Sequence, residues 1–398
     1  MRRVRVRATT SALARARLPL FLAIVALGTA FPACAQESNA GRQVAFGRIE
    51  FPTSGAPAAQ SHFIRGVLFL HNFHYGEAAA AFREAQAADS DFAMAYWGEA
   101  MTYTHPVWNE QDREAARAAL ERLAPTPEAR RAKAPTEREK AYLDAVETLY
   151  GDGPKAWRDT LYSEAMGALA AAHPDDLDAQ LFYALSLIGL GQGERHVPTY
   201  VRAGAIALEA FRANPEHPGA AHYVIHSFDD PVHAPVGLAA ARAYSKIAPG
   251  AAHAQHMTSH IFVAMGMWDE TVAANEVASA TEEPVAATGK SRYPCGHYGS
   301  WLHYGYLQQG RYDDATEILE ECRAVVEAGE SRAAGSLAWM DAAHVVDTRE
   351  WKGVVGAAVG DDESAPRIRA AHEFARGYAA ARRGELAAAE AALASLEA

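Results

Sequence analysis

Pro215 and Pro249 stand 34 residues apart, and so do His222 and His256, His226 and His260, and Phe228 and Phe262. Four matches at one spacing in adjacent stretches mark two copies of one supersecondary unit. A unit that short cannot bury its apolar face alone, so copies must stack into an array. The same grammar recurs elsewhere. Residues 63–88 read as an apolar helical stretch, a turn at Tyr75-Gly76-Glu77-Ala78, and a second helix with Ala81, Phe82 and Ala85 where two helices touch. Residues 262–268 and 306–312 repeat it, as do Arg349-Glu350-Trp351 and Gly384-Glu385-Leu386. With 49% apolar and 22% charged residues the chain has an ordinary globular composition, so its 398 residues are read as an extended array rather than two or three compact domains.

These features resemble tetratricopeptide repeats, helix-turn-helix units of about 34 residues. Gly310-Arg311-Tyr312-Asp313-Asp314-Ala315 has the glycine, aromatic and alanine of that turn, and the resemblance covers most of residues 60–396. More narrowly, His222-Tyr223-Val224-Ile225-His226 and His253-Ala254-Gln255-His256-Met257-Thr258-Ser259-His260-Ile261 resemble the HYxIH and HxxHMPxHI segments of a group of secreted bacterial repeat proteins, with Thr258 where that group has proline. The resemblance implies an all-α fold, a superhelical solenoid of antiparallel helix pairs whose first helices line a concave face. It implies no activity.

Residues 1–35 are expected to be a signal peptide. Arg2, Arg3, Arg5, Arg7, Arg15 and Arg17 precede an apolar run from Leu18 to Phe31, and Ala33-Cys34-Ala35 is a small-x-small cleavage site. The run has no polar face, so it does not read as a buried helix of the fold, and it is short for a membrane span. A lipid-anchored Cys34 is a second reading of this end. The mature chain is expected to be exported, periplasmic or extracellular, without a transmembrane span. Cleavage removes six arginines and no acid from a net charge of −12, leaving −18. That balance does not suit nucleic acid or an anionic membrane, and keeping the chain soluble is the simplest role for it.

The mature part divides into a flexible linker (36–58), N-terminal repeat units (59–108), a helical insertion (109–160), repeat units with the histidine cluster (161–277) and C-terminal units (278–398). Within the insertion a loop from Pro125 to Pro135 leads to a helix starting at Pro135-Thr136, where Glu139 completes a capping box. The pattern stops at Ala398 without a polar cap, so the last units are expected to be incomplete or covered by a partner.

The chemistry is expected in the histidines. Seven of 17 lie in the 44 residues from 217 to 260, where an even spread puts about two. His222 and His226 are spaced i,i+4, as are His256 and His260, and His253 precedes His256 by three, so each group shares a helix face. Two imidazoles at i,i+4 can hold one metal ion. Given the repeat resemblance, the two pairs occupy equivalent places on neighbouring first helices, roughly 10 Å apart by ordinary helix packing. Ala221, Ile225, Phe228, Ser259 and Phe262 pack between helices, and the histidines fall between them on the concave stripe. His222, His226, His253, His256 and His260 are therefore expected to bind zinc or copper, both of which suit imidazole. Asp229, Asp230 and His233 are further ligand candidates. His71, His105, Trp97, His297 and Tyr304 are expected along the groove. Met94 and Met101 share the face of Trp97; they would favour copper as ligands, and packing is the simpler reading.

Two rivals stay open: a peptide- or protein-binding scaffold whose groove histidines touch a partner, and a metal-dependent hydrolase or oxidase. No HExxH, G-x-S-x-G, Walker or GxGxxG motif is present, so no catalytic residue is assigned. Cys295 and Cys322 are expected at the same end of one helix pair. A disulfide there is one reading, favoured by an oxidising compartment, and two small buried side chains is the other.

Overall fold

The computed structural model describes residues 46–191, 194–281, 293–351 and 365–397. The expected signal peptide, most of the linker and the stretch around 282–292 lie outside the described residues. The described chain is all-α, apart from one two-residue strand pair, and is built of stacked antiparallel helix pairs. No helix among the described residues is long and apolar enough to cross a membrane.

The first pair is α1 (Pro57–His71) and α2 (Tyr75–Ala88), followed by α3 (Ala93–Met101). The insertion holds α4 (Arg113–Glu121), α5 (Pro127–Ala132) and α6 (Glu137–Leu149). Thr136 and Glu139 form the capping box at the start of α6, satisfying two otherwise orphaned N–H donors. The stretch read as a loop after Pro125 contains α5, because Thr126 caps it and Pro127 supplies a pre-set φ at its first position. Next come α7 (Lys155–Ala172) and α8 (Leu177–Gly189), then α9 (Val197–Ala213) and α10 (Pro218–Phe228), then α11 (Ala234–Ile247) and α12 (Ala252–Ala264), and α13 (Trp268–Thr281). The C-terminal units are α14 (Gly296–Gln308), α15 (Tyr312–Glu327), α16 (Ala334–Thr348), α17 (Ala365–Arg383) and α18 (Leu386–Glu397). The segment boundaries expected at 160 and 277 fall inside α7 and α13.

Three departures position the site. The strand pair is the first: Thr104–His105 (β1) runs antiparallel to Glu110–Gln111 (β2) around the turn Pro106–Trp108. Pro106 cannot continue α3, and Asn109 takes the left-handed conformation at the corner, φ 58°. The second concerns the linker. From Phe46 on it packs on the array: Ile49 and Phe51 are buried, Arg48 exchanges backbone and side-chain bonds with Asn214 and Glu216, and Phe51 packs on Phe63, Trp97 and Tyr142. The strap ties the first unit to the α9–α10 junction.

The third is curvature. The array bends so that α1 packs against α10, although about 150 residues separate them in sequence. Helix α10 thereby touches α8, α9, α11, α12 and α1, and all its residues from Pro218 to Phe228 are buried. A helix enclosed on every side buries whatever it carries, histidines included. Gly219 permits the approach: a Cβ there would lie 2.4 Å from His71 Nδ1. Three cores run along the array, around Phe63 and Trp97, around Tyr223 and Phe228, and around Leu302 and Ile318. Helix α18 leaves Leu386, Leu393 and Leu396 exposed.

Candidate metal centre

Helices α10 and α12 each present an i,i+4 histidine pair, and the structure gathers six imidazoles into two adjacent triads. The first is His222 and His226 from α10 with His253 from α12; the second is His256 and His260 from α12 with His297 from α14. In each triad one ligand atom per residue lies within 4.8 Å of the others. The triads adjoin: the His226 and His260 rings are 6.2 Å apart, and those of His253 and His256 are 6.4 Å apart.

Outer groups orient the ligands. His222 donates Nδ1–H to the His71 backbone carbonyl at 2.7 Å. His256 donates Nδ1–H to Asn275 Oδ1 at 2.7 Å, and Asn275 is itself fixed by donating Nδ2–H to Thr271 O. His260 donates Nδ1–H to Asp229 Oδ2 at 2.6 Å. The carbonyl and the amide oxygen only accept, so His222 and His256, which burial keeps neutral, turn an Nε2 lone pair toward their triads, and Asp229 aims His260 Nε2 the same way. His222 Nε2 lies 3.1 Å from His253 Nε2, and His256 Nε2 lies 3.0 Å from His260 Nε2. The buried Nε2 of His226 has no hydrogen-bond partner among the described residues.

Burial favours the neutral form of His222, His226, His253, His256 and His297. It pushes His222 down to about 3, against the His71 carbonyl, which favours the cation. It holds His226, His253 and His256 well below the ordinary imidazole range, with repulsion from neighbouring imidazoles adding to it. His297 is pushed down to about 4 by burial and by His260. Neutral imidazole is the form that ligates metal.

Several expected residues are placed otherwise. Asp229 holds His260 from outside rather than facing the triads. Asp230 and His233 bond each other at 2.9 Å, and Asp230 also takes Arg195 at 3.1 Å and the backbone N–H groups of Val232 and His233. They close a turn after α10, outside the two triads. His71 does not line the groove. It is fully buried, donates Nε2–H to Asp178 at 2.9 Å and accepts from the Tyr223 hydroxyl at 2.9 Å, so neither ring nitrogen is free. His217 also faces Asp178, at 3.5 Å. Burial alone would raise the Asp178 carboxyl, but the imidazoles of His217 and His71 outweigh it and hold it well below the usual range. His71, Asp178 and His217 make a third set of metal-type residues, buried, with Asp178 and His217 in the wall of a second cleft. Trp97 is core, packed on Phe51, Tyr142 and Phe182, and Met94 and Met101 are buried with it. Tyr304 packs on Trp268 and Trp339. His105 does reach the groove: it stacks on Tyr75 at 4.0 Å and bonds Glu110 at 3.1 Å.

Cys295 and Cys322 form a disulfide. Cys295 is the residue just before α14, two positions ahead of His297, so the bond pins the helix end that carries the last imidazole of the second triad.

A cleft of about 880 Å³ opens on both triads, with His253 and His297 in its wall beside Phe73, Tyr75, Trp108 and Tyr298. The Phe73 ring lies 4.3 Å from His222 and 5.5 Å from His253. Trp301 stacks on His260 at 4.5 Å behind it.

The ligand-grade position of His297 was legible in one signal that repeat matching at 34 passes over. His253 and His297 are 44 residues apart, as are Gly266 and Gly310 across the lengthened unit. With His222 and His226 moving to His256 and His260 by 34, the second triad is the first one advanced by a repeat. Asn275, the His71 carbonyl and Phe73 had no such signal.

No protein-family model matches the chain, and no curated protein matches it. Among solved structures it is similar to the human IFIT1 dimer with m7Gppp-AAAA, at 14% identity and a TM-score of 0.34, over 90% of this chain and 67% of that one. It is also similar to the P58(IPK) TPR domain, at 12% identity and a TM-score of 0.21, over 84% of this chain and 88% of that one. Likenesses this distant carry no argument about the site.

Proposed function

We propose that this protein is an exported tetratricopeptide-like solenoid that binds zinc or copper through the two histidine triads of its concave groove, one ion to each. The observation that carries this reading is the His256–His260 pair. Both rings commit Nδ1–H to an oxygen, so their Nε2 atoms face each other at 3.0 Å. Such a contact calls for a positive centre between the nitrogens, and a metal ion there would engage both lone pairs at once. A tetrahedral ion with metal–nitrogen bonds of about 2.0–2.1 Å needs nitrogen–nitrogen edges of about 3.3 Å, and His297 supplies a third donor within reach. Oxygen partners behind the ligands fit the usual outer shell of metal-binding histidines. The open cleft favours a centre that meets a substrate, as a hydrolase or oxidase would, over a sealed structural site. The Cys295–Cys322 disulfide supports an oxidising, extracytoplasmic location.

The test is elemental mass spectrometry on protein purified without a histidine tag, beside His226→Ala and His297→Ala variants. Two equivalents of zinc or copper in the parent and one in each variant support the proposal. A parent that carries no transition metal, even after incubation with zinc and copper salts, overturns it and turns attention to a protein or peptide ligand.

A further inference from the structure

We infer that the cleft beside the triads receives a neutral or cationic aromatic ring and brings it to the imidazoles of His253 and His297. The destination rests on the metal reading above; the binding of the ring does not.

The argument begins at Phe73. In the turn from α1 to α2, His74 N–H bonds Phe69 O across a left-handed residue. The turns at Gly266, Gly310 and Gly384 close with the same bond: Met267 to Phe262, Arg311 to Tyr306, and Glu385 to Ala380. Those three positions are glycines with φ between 69° and 79°, whereas Phe73 adopts φ 58° with a bulky side chain. A phenylalanine in a glycine slot works against local preference. Strain retained in one copy of a repeat marks a site with another use for the side chain. Here it sets the Phe73 ring over His222, stacked with Tyr75 and edge-on to Trp108.

A second irregularity builds the opposite wall. Asn109 has the same left-handed φ of 58° and closes the hairpin that holds out Trp108, a ring 49% exposed where most large apolar side chains are buried. Two of the three non-glycine residues with positive φ among the described residues thus serve one cleft. Exposed aromatic rings facing a cavity are suited to stacking on a flat ligand.

Charge narrows the class. No lysine or arginine lines the cleft among the described residues, and Glu77 and Glu110 stand at its rim. Each carboxylate has a histidine neighbour, His74 and His105, and no stronger cation beside it in the cleft. With the triads empty, an anionic ligand finds no counter-charge among these side chains. A cationic one finds carboxylates and aromatic faces.

Tyramine and 4-hydroxybenzoate separate these cases, because both carry a phenol ring and differ in charge. Calorimetric titration is made on full-chain protein whose metal content is measured in the same samples. On protein stripped of metal with a chelator, where only the side chains set the charge, tyramine is expected to bind about tenfold or more tightly than 4-hydroxybenzoate. Phe73→Gly, which relaxes the turn, is expected to weaken tyramine by about tenfold or more with metal content unchanged. Trp108→Ala, at an exposed position, gives a second reading should Phe73→Gly fold poorly. Equal affinity for the anion on the stripped protein, unchanged affinity in both variants, or no tyramine binding to folded protein overturns the inference. Phe73-dependent binding to protein that takes up no metal would remove the metal reading and leave the cleft standing. Metal-loaded protein that ignores tyramine would do the reverse.

Discussion

Asn275 Oδ1 accepts the Nδ1–H of His256 at 2.7 Å, and because Asn275 donates its own amide to Thr271 O, its orientation admits only one His256 tautomer. A group on α13 thus fixes which ring nitrogen of a residue on α12 faces the second triad. Replacing Asn275 by Ala should lower metal affinity at the second triad by about 10–100-fold, the usual cost of losing an outer-shell partner. Competitive zinc titration in a His226→Ala background, which isolates the second triad, measures it. An unchanged affinity there would show that the tautomer lock does not matter.

Gly219 faces His71 where a Cβ would come within 2.4 Å of Nδ1. Gly219→Ala should push α1 from α10 and destabilise the fold by about 1–3 kcal/mol, the cost of overpacking. The His71 carbonyl that holds His222 moves with α1, so the first triad should lose affinity while the second keeps it. Urea denaturation together with zinc titration in the His297→Ala background checks both effects.

The disulfide should serve the second triad as well as stability. It closes a span of 27 residues, and opening it by Cys295→Ser/Cys322→Ser should cost about 2–4 kcal/mol. The freed α14 N-terminus carries His297. Zinc held by the second triad should therefore weaken on reduction, and zinc held by the first should not. Equal loss from both triads would assign the bond a global role only.

Asp341 gives a pH signature away from the centre. Burial pushes its carboxyl up to about 6, against the attraction of Arg323 at 2.9 Å. A folded pKa above the unfolded 3.8 means that the folded state gains stability as pH falls from about 6 to about 4, and bears the full cost of the buried charge above 6. That shift corresponds to about 3 kcal/mol. Asp341→Asn should then be more stable than the parent at pH 8, with the gap closing by pH 4. Chemical denaturation of both chains across that range tests it; a gap independent of pH would contradict it.

Much of the architecture could be read from residue spacing. The 34-residue interval, the glycine turns and the Thr136–Glu139 cap are local features. Each is set by neighbours within one or two helical turns, and local geometry varies little between proteins. The pairing of His222 with His226 and of His256 with His260 on one helix face follows from the same geometry.

Residues that sequence reasoning misplaced depend on distant partners. Trp97 has the spacing of a groove residue, yet Phe51 from the preceding strap, Tyr142 from the insertion and Phe182 from α8 enclose it. Asp229 stands beside the histidines in sequence and meets His260 from behind, because the α10 C-terminus turns away before α11 begins.

By itself, the sequence determined that this chain is a stack of helix pairs with repeated histidine faces, since helical period and turn chemistry are written residue by residue. Only the tertiary structure decided that α1 closes on α10, that His297 completes the second triad, and that Phe73 reaches over His222. Those placements come from the summed curvature of many small packing angles, which no single stretch of the chain contains.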